Sequence, residues 1–120
     1  MASKFLVNGT CGKENAERAT LAFIMGNVAA AADQETVVLL TIEGVWLATK
    51  GYAADVIKEG FPPLTEVITS FMKNGGEVWA CGTCTKPRGI TETDLIDGAK
   101  MVTAANVVEY LASGAMTIGF

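Results

Sequence analysis

The 120 residues predict an α/β domain, a five-stranded and mainly parallel sheet with helices on both faces. Three observations carry this. Short apolar runs alternate with segments of helical spacing along the whole chain. Residues 36–42, Thr-Val-Val-Leu-Leu-Thr-Ile, are continuously apolar or β-branched, as in a strand covered on both faces. No composition shift or internal repeat divides the chain, so one domain over residues 1–120 is expected, close to the commonest domain length.

Each element has its own signal. Residues 4–7 are an apolar run closed by the turn cluster Asn8-Gly9-Thr10, which suits a first buried strand. From 14 to 32, Leu21, Ile24, Met25 and Val28 recur at helical spacing with alanines between them. Asp33-Gln34-Glu35 ends that helix, and residues 36–42 form the second strand. Glu43-Gly44 leads into a helical turn over 45–50, stopped by Gly51. After Phe61-Pro62-Pro63 the spacing of Leu64, Val67, Ile68 and Phe71 predicts a helix over 64–72, closed by Gly75-Gly76. Residues 77–80 are the third strand, and a loop with glycine and cysteine follows. Thr91-Glu92-Thr93-Asp94 has the residues of a helix N-terminus and predicts a helix over 91–99. Met101-Val102 is a short fourth strand, 106–112 a helix capped by Ser113-Gly114, and 116–120 the last strand. In such sheets, chemistry sits beyond the carboxyl ends of the strands. The first and third strands are expected to be neighbours, with the loops after them facing each other.

Composition excludes several classes. Nine Lys and Arg against 13 Asp and Glu leave a net charge of −4, and no segment is a basic run. Nucleic acid is therefore not the expected partner, since phosphate neutralisation needs clustered cations. The longest uncharged stretch, residues 19–32, is too short to span a membrane. The first residues show no cleavable signal, so the cytoplasm is the expected compartment. With 50% hydrophobic residues, 18% charged and a mean hydropathy of +0.34, the chain has little charge to cover a monomer, which points to subunit contacts.

The sequence has no histidine, which removes Ser-His-Asp and Cys-His pairs and every His-ligated metal site. Three cysteines remain. Cys81-Gly82-Thr83-Cys84 directly follows the third strand, with Lys86 and Arg88 close behind. Positive charge favours thiolate, so Cys81 and Cys84 read as a nucleophilic or redox pair supported by Lys86 and Arg88. The alternative is that Cys81 merely fills a buried position beside Ala80. Cys11, in the loop after the first strand, either joins the pair or is a bystander in a turn. Three sulfurs without a histidine do not complete a four-ligand site, so no metal is expected. Gly9-Thr10-Cys11-Gly12-Lys13 lacks the spacing of a phosphate loop, and no dinucleotide fingerprint is present. Trp46 and Tyr52 suit the lining of a pocket or, more readily, a subunit contact. Glu43, at a strand end, suits a catalytic group or, more readily, a solvated carboxylate.

Several segments together resemble the DsrE/DsrF-like family of small sulfur-relay proteins. They are Gly44-Val45, Lys50-Gly51, Gly60-Phe61-Pro62-Pro63-Leu64, Gly75-Gly76-Glu77-Val78-Trp79-Ala80-Cys81, Arg88-Gly89-Ile90, Asp94-Leu95-Ile96-Asp97-Gly98-Ala99 and the ending Gly114-Ala115-Met116-Thr117-Ile118-Gly119-Phe120. The resemblance implies a flavodoxin-like three-layer fold, a homotrimer or homohexamer, and a persulfide-carrying cysteine at the end of the third strand, here Cys81. It implies sulfur donor and acceptor proteins as partners, and the chemistry needs no metal or organic cofactor. Two other classes remain open: a thiol-disulfide or redox-sensing protein using Cys81 and Cys84, and a non-catalytic oligomer that binds a small ligand.

Overall fold

The structure, a computed structural model, describes residues 3–120. Its strands are β1 (Lys4–Gly9), β2 (Glu35–Leu40), β3 (Glu77–Cys81), β4 (Lys100–Val102) and β5 (Met116–Gly119). They form one sheet in the order β4-β3-β2-β1-β5, and every pairing is parallel. The helices are α1 (Ala16–Ala31), α2 (Leu64–Lys73), the single turn α3 (Gly82–Thr85) and α4 (Ala104–Ala112).

Strand alternation divides the core between two faces. Val7, Val38, Leu40, Val78 and Ala80 meet Ala19, Ala22 and Phe23 of α1 and Leu64, Ile68 and Phe71 of α2. Phe23 and Phe71 pack edge to face, with ring centroids 5.9 Å apart. The other face carries Leu6, Leu39, Trp79 and Val102 against Val107, Tyr110 and Leu111 of α4. The expected parallel α/β sheet with helices on both faces is present.

The strand order differs from the expected neighbourhood of the first and third strands. β2 lies between β1 and β3, because the connections from β1 through β4 each advance one place along the sheet. Only the return through α4 crosses to the far edge, where β5 pairs with β1.

Residues 91–99 also differ from expectation. Only Glu92–Asp94 turn, as a 3-10 helix closed by a Thr91–Asp94 capping box. Beyond it the main chain is claimed by residues 48–50. Asp94 O accepts from Lys50 N at 2.9 Å, Ile96 N donates to Ala48 O at 2.8 Å, and Thr49 and Leu95 form an antiparallel bridge. Burial of Leu95 draws the segment inward, so a strong N-terminal signal has no helix behind it. The smaller departures lie at element ends: β2 stops at Leu40, and a 3-10 helix over Ile42–Ala48 replaces the turn at 45–50.

Candidate functional site

Cys81 is the last residue of β3 and the N-cap residue of α3. Its register partner on β4 is Val102. Half-buried, it touches the apolar groups of both faces, at the point where the chain leaves the sheet and turns into α3. The chain then folds back on itself. Thr85 is fully buried and its hydroxyl donates to Gly82 O at 3.2 Å. Gly89 takes a left-handed conformation (φ +70°), and Ile90 N donates to Thr85 O at 3.1 Å, with Ile90 buried. Thr85 and Ile90 thus anchor a hook that holds Cys84 half-buried, one helical turn beyond Cys81.

Arg88 is occupied within this hook. Its Nη1 donates to Cys84 O at 3.0 Å, and its Nη2 lies 3.3 Å from Glu43 Oε1. The guanidinium therefore fastens the cysteine turn to the exit of β2. Glu43, read from the sequence as a solvated carboxylate, is its partner. What could have revealed the pair is that both residues follow strands at the same sheet edge. Lys86 is exposed and has no ion-pair partner among the described residues.

Cys11 is placed elsewhere. It follows β1, and β2 separates it from the loop after β3. Its loop packs on the exit of β2: Gly44 N donates to Thr10 O at 3.1 Å. A side chain at Gly44 would collide with the Gly9 carbonyl, so glycine is required there. Thr10 donates its hydroxyl hydrogen to Phe120 O at 2.8 Å, leaving the Cys11 thiol to donate to Thr10 Oγ1 at 3.6 Å. The structure does not bring Cys11 together with the other two thiols as a metal-type cluster among the described residues. Trp46 and Tyr52, assigned to a subunit contact, stack on each other with centroids 6.0 Å apart, and Tyr52 OH accepts from Lys13 N at 2.8 Å.

A parallel sheet clad on both faces, with two half-buried thiols at its carboxyl edge, defines a thiol-bearing α/β protein. The chain belongs to the DsrE/DsrF-like family, whose model matches residues 3–120, a family linked in general to sulfur relay. It is similar to uncharacterized protein MK0008 of Methanopyrus kandleri, 32% identical over 104 residues, 87% of this chain and 83% of that protein. It is also similar to uncharacterized protein MJ0760 of Methanocaldococcus jannaschii, 31% identical over 108 residues and 90% of this chain. The chain spans only 39% of the length of MJ0760. Two solved structures share the fold. The ychN protein of E. coli superposes over the whole of both chains with a TM-score of 0.81 at 18% identity. MTH1491 of Methanobacterium thermoautotrophicum gives 0.71 at 14% identity, over 98% of this chain and 99% of that one. Among the described residues no helix is long and apolar enough to cross a membrane.

Proposed function

We propose that this chain is a sulfur-relay protein that carries sulfane sulfur as a persulfide on Cys81. One observation carries the reading: Cys81 stands half-exposed at the end of a central parallel strand, where such sheets place their chemistry. The Cys81 thiolate attacks the outer sulfur of a donor, and the new S–S bond forms as the donor's own sulfur bond breaks. An acceptor thiolate then takes the outer sulfur and returns Cys81 as thiolate, with no net oxidation. Lys86 is the exposed cation five residues downstream that assists the anionic states. Arg88 supports the site through the Cys84 carbonyl. Cys11 has a supporting role at most, with β2 lying between its strand and that of Cys81.

The proposed setting is the cytoplasm, where thiols stay reduced, with residues 1–120 acting as one domain and with donor and acceptor proteins as partners. A homotrimer or homohexamer is supported by exposed Met25 and Val28 on α1 and by Met116 and Ile118 on edge strand β5. The register of Met116 with Phe5 and of Ile118 with Val7 puts both on the α1 face of the sheet.

A second reading has its own observation. Cys81 and Cys84 are free thiols on the first turn of α3, close enough along the chain for a dithiol-disulfide couple. Intact-protein mass spectrometry without reductant separates the two. After incubation with polysulfide, the relay reading expects a gain of one sulfur atom that is reversed by reductant, lost in Cys81→Ser and kept in Cys84→Ser. Loss of two hydrogens requiring both cysteines, with no sulfur gained, establishes the couple instead. No change in mass leaves a ligand-binding oligomer.

A further inference from the structure

We propose that the cleft beside the Cys84–Arg88 hook binds the amino-acid end of a low-molecular-weight thiol, so that a small persulfide of the cysteine or glutathione type serves as a sulfur donor alongside a donor protein. This rests on the reading of Cys81 as the carrier. The cleft has a volume of about 350 Å³, at the small end of ligand sites. Trp46, Thr49 and Lys50 form one wall, and Arg88, Thr93 and Asp94 the other. The walls are pinned together by the Lys50 N to Asp94 O bond and the Thr49–Leu95 bridge, so the cleft is formed before any ligand arrives.

Its polar groups have capacity to spare. The Lys50 ammonium has three N–H donors and gives one to Thr93 O at 3.1 Å, and no carboxylate lies within ion-pair distance among the described residues. Arg88 has five N–H donors and uses two, one on Cys84 O and one on Glu43. Asp94 accepts from Thr91 N and Thr91 Oγ1, both through Oδ2, which leaves Oδ1 open. The Thr91 backbone N–H, then its hydroxyl, and the nearby Lys50 charge hold the Asp94 carboxyl below its ordinary value, so it is ionised at neutral pH. The Trp46 ring is braced by its stack on Tyr52 and gives an apolar wall.

Both signs of charge therefore face one small space. A purely anionic donor meets Asp94, and a purely cationic one meets Lys50 and Arg88. A zwitterionic α-amino acid satisfies all three, with its carboxylate toward Lys50 and Arg88 and its ammonium toward Asp94. Arg88 belongs both to the cleft and to the hook, which ties the cleft to the turn that carries Cys84 and Cys81. The transfer then balances. The Cys81 thiolate attacks the outer sulfur of R–S–SH, the Cys81 Sγ–S bond forms and the bond between the donor's inner and outer sulfurs breaks. R–S⁻ leaves with the electron pair and takes a proton from water.

Calorimetric titration with S-methylglutathione, which cannot donate sulfur, tests the cleft apart from the chemistry. Saturable binding is expected, weakened about tenfold in Lys50→Gln and in Asp94→Asn, as loss of one charged contact implies. The charge-matched control Lys73→Gln, at the opposite sheet edge, should bind like the wild type. In loading assays, the rate from glutathione persulfide relative to the rate from inorganic polysulfide should fall about tenfold in Lys50→Gln. No binding up to about 10 mM, or equal binding by Lys50→Gln, overturns the proposal. Normal polysulfide loading beside either result leaves the relay reading standing. Failure of Cys81 to load from any donor overturns the relay reading and the donor assignment together, whatever the cleft binds.

Discussion

Arg88 Nη1 donates to the carbonyl oxygen of Cys84 at 3.0 Å. The cation thus acts on the backbone of the cysteine turn, and its second amino group ties that turn to Glu43 on the neighbouring strand exit. The side chains are 24% and 45% exposed, so the two bonds should not weigh equally. Arg88→Met is expected to cost about 1–2 kcal/mol, because it orphans a partly buried carbonyl and removes a charge-assisted bond. Glu43→Gln should cost less than about 1 kcal/mol, since an ion pair open to solvent contributes little. Urea denaturation of both variants checks this. Equal losses would mean that the ion pair, not the bond to Cys84, holds the hook.

Ile42 holds a left-handed conformation, φ +56°, with 53% of its surface exposed. A β-branched residue is disfavoured there. The contacts around it compel the turn: Thr41 N donates to Gly9 O, Gly44 N donates to Thr41 O, and Gly44 packs on the Gly9 carbonyl. Asparagine tolerates this conformation, so Ile42→Asn is expected to stabilise the fold by about 1 kcal/mol. A higher midpoint in thermal unfolding is the signature. A lower one would show that the covered half of the isoleucine outweighs its backbone strain.

Glu77 links stability to pH. A hydrogen bond from Lys100 at 2.7 Å is the largest influence on its carboxyl and lowers it below the ordinary glutamate range, against an opposing effect of burial. Trp79 Nε1, 3.3 Å away, adds to the lowering. A carboxyl depressed in the folded state stabilises the protein above its unfolded value, and the gain disappears as pH falls through the folded one. The wild type should therefore exceed Lys100→Met in thermal midpoint at pH 7, with the gap closing well below about pH 4. The gap should be small, because both partners are about half exposed. A gap unchanged in acid would assign the lysine's effect to packing of its stem.

Much of this was legible in the residues. The continuous run through β2 marks a strand buried on both faces, and the alternation of strand and helix marks a parallel sheet. The position of Cys81 at a strand end followed from the same reading. The helix expected over 91–99 failed for a long-range reason. Its capping signal is satisfied within one turn by Thr91 and Asp94, while the main-chain groups beyond are taken by residues more than forty positions earlier. The role of Glu43 was hidden likewise, because its partner is 45 positions away in the chain.

By itself, the sequence determined the five strands and the three longer helices, that the sheet is parallel, and that the available chemistry is thiol chemistry without histidine. Burial periodicity and residue type are local properties, and a single chain displays them directly. Only the tertiary structure decided that β2 stands between β1 and β3, which separates Cys11 from Cys81, and that Arg88 serves the Cys84 carbonyl and Glu43. Strand order and the choice of a distant partner come from competition among many apolar runs and polar groups for the same neighbours. That competition is settled by packing the whole chain at once.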